Sequence, residues 1–226
     1  MRTALATSVT RGVAAASRVA GRGDGSVIGG RVGMMIDRDL LTRLADGRRI
    51  ALISGTNGKT TTTRLTAAAL GVLGPVATNS FGANMPAGHI TALARAGDTP
   101  YAVLEVDEHY LRQVLDQTGA EVVALLNLSR DQLDRAKEVA MMAQLWRDAL
   151  QGRAVSVIAN ADDPMVAFAA VGHPDVTWVA AGQRWYDDSW VCPGCGGASR
   201  SARGSGRRCP GRGPLSAHRG RGARGR

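Results

Sequence analysis

Ile50-Ala-Leu-Ile-Ser54-Gly55-Thr56-Asn57-Gly58-Lys59-Thr60-Thr61-Thr-Thr-Arg64 decides the fold class. The apolar run Ile50 to Ile53 reads as a buried strand. Gly55 to Gly58 forms a glycine loop, and Leu65, Ala68, Ala69 and Leu70 continue at helical spacing. Strand, glycine loop and helix in that order are what a phosphate-binding loop requires. The two glycines let the backbone turn tightly and set its N–H groups against phosphate oxygens. A helix starting near Lys59 aims its partial positive end at the same anion. Lys59 can reach the outer phosphates, and the Thr60 hydroxyl can ligate Mg²⁺. The spacing departs from G-x-x-x-x-G-K-[ST], because Ile53 stands where the first glycine belongs. Lys59 is nevertheless singled out: the only other lysine is Lys137, and every remaining cation is arginine.

Outward from that loop, strand-like and helical stretches alternate. Val76 to Thr78, Tyr101 to Glu105, Glu121 to Leu126, Ala154 to Ala159 and Val176 to Val179 read as strands, and helical patterns separate most of them. Strands apolar throughout and separated by helices predict an α/β fold, a mostly parallel sheet with helices on both faces. Ligands bind such sheets at the carboxyl ends of the strands. Four polar clusters follow strands directly: the glycine loop, Glu105-Val106-Asp107-Glu108, Asn127 to Asp134, and Asn160 to Asp163. They are expected to converge on one edge. There Gly55, Thr56, Asn57, Gly58, Lys59, Thr60 and Thr61 would bind the nucleotide. Thr60 with a carboxylate of Glu105 or Glu108 would hold Mg²⁺, and Asn84 and Gln132 would face the γ-phosphate or a second cation. His109, beside acidic residues, reads as a surface group.

The flanks are different in character. Thr3 to Ala20 reads as an amphipathic helix, Gly21 to Gly33 as a glycine-rich linker, and Asp37 to Leu44 as a short helix with Asp37 as N-cap and Gly47 closing it. The chain has 226 residues, is 44% hydrophobic and carries a net charge of +9. Nine of its 28 basic residues fall from Ala198 onward, where there is no Asp or Glu. The rest is balanced, so the charge describes the tail and not the domain. No run reaches the roughly 18 apolar residues of a membrane span, and the N-terminus lacks the apolar core of a secretory signal. The reading is cytoplasmic.

Five motifs in order resemble the central ATPase domain of the Mur ligase family. They are Gly55-Thr-Asn-Gly-Lys59-Thr60-Thr, Gly82-Ala-Asn84-Met, Glu105-Val-Asp107-Glu108, Asn127-Leu-Ser-Arg130-Asp131-Gln132-Leu-Asp134-Arg135 and Asn160-Ala-Asp162-Asp163-Pro164. The resemblance covers roughly residues 37–190. The Arg-Asp-Gln-Leu-Asp-Arg run looks like the MurT type, since other Mur ligases have histidine where Gln132 stands. So does the Cys192-Pro-Gly-Cys195-Gly196 knuckle, as does a stretch before the loop too short for the uridine-nucleotide domain of other family members.

The resemblance implies ATP and Mg²⁺ as cofactors. It implies activation of the D-glutamate α-carboxyl of lipid II as an acyl phosphate in peptidoglycan synthesis. A GatD-type glutamine amidotransferase partner would supply the ammonia, and membrane contact would come only through the lipid-linked substrate. Other readings are a Mur-type ligase such as folylpolyglutamate synthase, or a non-catalytic nucleotide-binding module.

Residues 1–46 would then be an N-terminal helical segment and linker, 47–190 the ATP-binding domain, and 191–226 a partial cysteine knuckle with an Arg/Gly-rich disordered tail. Cys192, Cys195 and Cys209 are zinc candidates, but Arg212 occupies the place of a fourth cysteine and His218 is poorly spaced. A closed four-ligand zinc site is not expected. From about Arg200 the composition offers too few large apolar residues to order the chain. We expect a reading-frame shift in GC-rich coding DNA soon after Gly197. No aromatic residue is interleaved with the tail arginines, which speaks against sequence-specific nucleic-acid binding.

Overall fold

The computed structural model describes residues 1–21, 25–79, 82–129, 136–182, 200–202, 205–209 and 213–214. Its centre is a six-stranded sheet in which every pairing is parallel. The strands are β1 (Arg49–Ser54), β2 (Val76–Thr78), β3 (Tyr101–Val106), β4 (Val122–Leu125), β5 (Ser156–Asn160) and β6 (Val176–Val179), in spatial order β2-β3-β1-β4-β5-β6. The crossover helices are α4 (Lys59–Leu70), α5 (Pro86–Ala96), α6 (Leu111–Thr118), α7 (Ala136–Leu150) and α8 (Pro164–Ala170). The connection after β1 runs to one side of the sheet, and the connection after β4 to the other. The crevice where such connections diverge is the usual ligand site of a doubly wound sheet.

The two faces are unequally covered. On one, Leu52, Leu104, Val123 and Val157 pack with Ile90, Leu111 and Trp146 from the helices in one continuous core. Each fully buried large aliphatic side chain contributes about 1.5–3 kcal/mol. On the other, Ile53, Val103 and Ala124 meet Ala67 and Leu70 of α4. Beyond α4, over β4 to β6, no described helix covers the sheet, and Ile158 and Val179 are 39% and 50% exposed. The expectation of helices on both faces therefore holds for the centre of the sheet. Among the described residues, burial at β5 and β6 alternates along the strand.

The N-terminal region differs from its sequence reading. The glycine-rich stretch continues into a helix, α2 (Ser26–Ile36), packed between α1 (Arg2–Val19) and α5. Its glycines serve close approach. A Cβ at Gly30 would stand 1.8 Å from the Ala87 carbonyl oxygen, and one at Gly33 would stand 2.2 Å from Thr10 Oγ1. Asp37 ends α2 instead of starting the next helix, which is α3 (Leu40–Ala45) with Asp39 at its N-cap. Asp37 is buried, accepts from Asp39 N and Thr3 Oγ1, and pairs with Arg43 at 3.2 Å.

Among the described tail residues, β7 (Arg200–Ala202), β8 (Ser205–Cys209) and β9 (Gly213–Pro214) pair as a small antiparallel sheet. Backbone pairing does not need the large apolar side chains whose scarcity suggested disorder. Cys209 ends β8, opposite Gly213. Cys192 and Cys195 lie outside the described residues. Among the described residues no three His, Cys, Asp or Glu side chains gather as a metal site. No described helix is long and apolar enough to cross a membrane.

Candidate functional site

The described residues of the four polar clusters meet at the carboxyl edge of β3, β1, β4 and β5. The loop after β1 turns at Gly55 (φ 152°) and Gly58 (φ 85°), conformations that side chains rarely adopt. At Gly55 a Cβ would also stand 2.9 Å from Leu126 Cβ, so the loop presses against the end of β4. Asn127 braces it there. Its Oδ1 accepts from Asn57 N at 2.8 Å, its Nδ2 donates to Asn57 O at 2.9 Å, and its own carbonyl accepts from Thr56 N at 2.9 Å. Ser129 adds further bonds, donating its N–H to Thr56 Oγ1 and accepting from Asn57 Nδ2 at 3.0 Å.

Gly58 caps α4, whose first turn carries no acidic residue. The helix therefore offers its unpaired N–H groups and positive dipole end to an outside anion. Lys59, mostly buried, folds back over the loop. Its Nζ donates to Gly55 O and to Thr56 O, and lies 3.4 Å from Glu108 Oε2. One residue on, Thr60 Oγ1 donates to Glu105 Oε2 at 2.7 Å. Glu105 is 4% exposed. The hydroxyl–carboxylate pair is a set of hard oxygen donors of the kind Mg²⁺ takes, with one or two ligands from protein and the rest from water and phosphate. Thr61 is exposed on the first turn of α4.

Both glutamates considered from the sequence thus reach the loop, each at its own residue. Glu105 is the next-to-last residue of β3, and its side chain points at Thr60. Glu108 opens a single 3-10 turn (Glu108–Tyr110) and faces Lys59. Trp146, fully buried on α7, donates to Glu108 O at 3.1 Å and fixes that turn. Asn84 is half-buried, and its carbonyl accepts from Asp107 N at 2.9 Å, which ties its loop to the end of β3. His109 is exposed, and its ring lies 3.1 Å from the Asp107 carboxylate. Gln132 lies outside the described residues.

Two contributors, Asn79 and His89, were not singled out from the sequence, and the role of a third, Asp163, was not specified. Asn79, just past β2, and His89, on α5, both bond the backbone of Glu105. His89 is fully buried, and burial pushes its pKa down to about 4, so the ring is neutral. Asp163 caps α8 through Met165 N and Val166 N, and its second oxygen accepts from Leu128 N at 2.8 Å, joining the ends of β4 and β5. An Asp before Pro164 is a visible cap signal. Nothing in the sequence marks the other two.

Beside the loop, over the open part of the sheet, lies a cavity of about 920 Å³. Its floor includes Ile53, Ala124 and Ile158, and its rim carries Asn57, Asn160 and Asp162.

Comparison with known proteins agrees with this geometry. The family described as Mur ligase middle domain matches residues 53–183. The lipid II isoglutaminyl synthase (glutamine-hydrolyzing) subunit MurT of Staphylococcus aureus (strain COL) is 31% identical over 192 residues, 80% of this chain and 44% of that protein. The subunit of the same name from Streptococcus pneumoniae (strain R6) is 35% identical over 158 residues, 67% of this chain and 35% of that protein. The chain thus spans less than half the length of these relatives. Among solved structures, a pseudomurein peptide ligase type C from Methanothermus fervidus superposes with a TM-score of 0.56 at 20% identity, over 72% of this chain and 34% of that one, a likeness of fold. On these sequence matches the chain belongs to the Mur ligase family, of which it carries the middle domain.

Proposed function

We propose that this domain binds ATP with Mg²⁺ at the carboxyl ends of β1 and β3 and supplies the phosphorylating half of an amide-forming ligase. One observation carries the reading: Lys59 and Thr60, adjacent in the glycine loop, each meet a carboxylate from the β3 end, Glu108 at 3.4 Å and Glu105 at 2.7 Å. In this reading the α4 amides and Lys59 bind the β- and γ-phosphates. The ammonium exchanges the Gly55 and Thr56 carbonyls for phosphate oxygens. Thr60 and Glu105 hold the cation, which supplies charge neutralisation when bound. Glu108 keeps Lys59 oriented, and Asn84 and Gln132 face the γ-phosphate. The cavity beginning at Asn57 has room for the nucleoside.

The names of the two relatives support a finer assignment. In it the acceptor is the α-carboxylate of the D-glutamate in the lipid II stem peptide. A carboxylate oxygen attacks the γ-phosphorus and ADP leaves. Ammonia, released from glutamine by a GatD-type amidotransferase partner, attacks the acyl carbon; phosphate leaves and nitrogen loses a proton. The enzyme works in the cytoplasm and meets the membrane only through its lipid-linked substrate. The test is to incubate the chain with ATP, Mg²⁺, lipid II and ammonium, with and without the partner glutaminase, and follow carboxyl-to-carboxamide conversion by mass spectrometry. Conversion that requires ATP supports the assignment. Nucleotide binding without conversion under any of these conditions reduces the reading to a binding module.

A further inference from the structure

β2 stops one step too early. Its last residue, Thr78, pairs in register with Val103, so Glu105, two residues further along β3, has no strand on that side. Its backbone is nonetheless buried, and a buried N–H or C=O left unpaired is costly. The Asn79 side chain fills the gap. Its Oδ1 accepts from Glu105 N at 2.7 Å and its Nδ2 donates to Glu105 O at 2.7 Å. One amide thus supplies the acceptor and donor that a longer β2 would have given. His89 Nε2 makes a second bond to Glu105 O, at 2.8 Å, and must carry its proton on that nitrogen to do so.

The same amide reaches further. Asn79 Nδ2 also donates to Ala83 O at 2.9 Å, and the next residue, Asn84, accepts from Asp107 N. The Asn84 loop and the Glu105 carboxylate are therefore hung on one hydrogen-bonded frame. Both Asn79 and His89 are buried, and neither side chain is seen bonding to the glycine loop itself.

We propose that Asn79 and His89 are positioning residues, which clamp the Glu105 backbone so that its carboxylate meets Thr60 at the place where a nucleotide-bound Mg²⁺ is held. The inference rests on the reading of Glu105 as a cation ligand. It predicts that loss of the clamp weakens cation-dependent binding specifically, whereas a purely structural role would leave the cation dependence untouched.

The experiment titrates the full chain with ATP by calorimetry, once in chelator and once in Mg²⁺, and reads the ratio of the two affinities, with a thermal melt of each variant. Glu105→Gln should abolish the Mg²⁺ enhancement; if it does not, the cation-ligand reading itself fails. Given that control, Asn79→Ala and His89→Leu should each lower the enhancement about tenfold, the worth of one good hydrogen bond. The affinity in chelator should stay within about twofold in His89→Leu, whose bond goes to the Glu105 backbone alone; in Asn79→Ala, which also frees the Asn84 loop, the affinity in Mg²⁺ should fall further than the affinity in chelator. His89→Gln, which keeps a donor near Nε2, should restore the enhancement. If Asn79→Ala does not fold, the two His89 variants carry the test. Folded variants with an unchanged ratio, or with both affinities falling together, overturn the inference.

Discussion

His89 should make this domain acid-sensitive by an amount that can be worked out. The ring is fully buried, Nε2 is committed to the Glu105 carbonyl, and Nδ1 has no hydrogen-bond partner among the described residues. A proton added at Nδ1 would place a charge in the buried core. Burial accordingly holds the folded-state pKa at about 4, against 6.5 for an ordinary histidine. The sign follows from linkage. Between those values the unfolded chain binds a proton that the folded chain refuses, so stability is complete above the unfolded pKa and falls as the pH drops towards the folded one. Each pKa unit is worth about 1.36 kcal/mol, and lowering the pH from about 7 to about 4.5 should remove about 2–3 kcal/mol through this residue alone. Urea unfolding at several pH values, for wild type and His89→Gln, isolates the contribution. The variant should start less stable at neutral pH but lose about 2–3 kcal/mol less than wild type on acidification. Parallel pH profiles for the two proteins would refute the argument.

The glycines of the N-terminal helices give a paired prediction. Gly30→Ala should cost about 1–3 kcal/mol or more in urea unfolding, because the added carbon meets the Ala87 carbonyl and neither backbone can turn aside. Gly12→Ala, exposed on α1 with nothing within 4 Å of the new carbon, should instead stabilise by about 0.5–1 kcal/mol. Asp163→Ala removes both the α8 cap and the bond to Leu128 N, and should cost about 2–3 kcal/mol in the same assay. It should also weaken nucleotide binding, since Leu128 adjoins the Asn127 that braces the loop.

The strand–loop–helix at residues 49–70 was legible because three local signals agree there: an apolar run, glycines where φ must be positive, and a helical period. Convergence of the polar clusters followed from parallel strands alone. Sheet order did not follow, because no single strand's pattern says on which side of β1 it lies. The stretch before the loop was misread for a physical reason. Gly29, Gly30 and Gly33 look like linker residues, yet they lie in a helix where Gly29 and Gly33 press against α1 and Gly30 against α5, so that a side chain would collide. The open face over β5 and β6 and the paired tail strands were invisible to composition. The roles of Asn79 and His89 depend on where β2 stops relative to β3, a register fact that sequence does not carry. Glu105 and Glu108 looked equivalent as neighbours in one motif. They separate only because one still belongs to the strand and the other to the turn that follows it.

The central claim is that the turn after β1 is a cradle for Mg²⁺ and nucleotide phosphates. It is tested most directly by titrating the full chain with ATP, with and without Mg²⁺, alongside Lys59→Ala and Thr60→Val. The account predicts binding that Mg²⁺ strengthens. It predicts a loss of about tenfold or more in Lys59→Ala under both conditions, and in Thr60→Val a loss confined to the Mg²⁺-dependent part. Folded variants that bind ATP as wild type does, or a wild-type chain indifferent to the nucleotide, would contradict it.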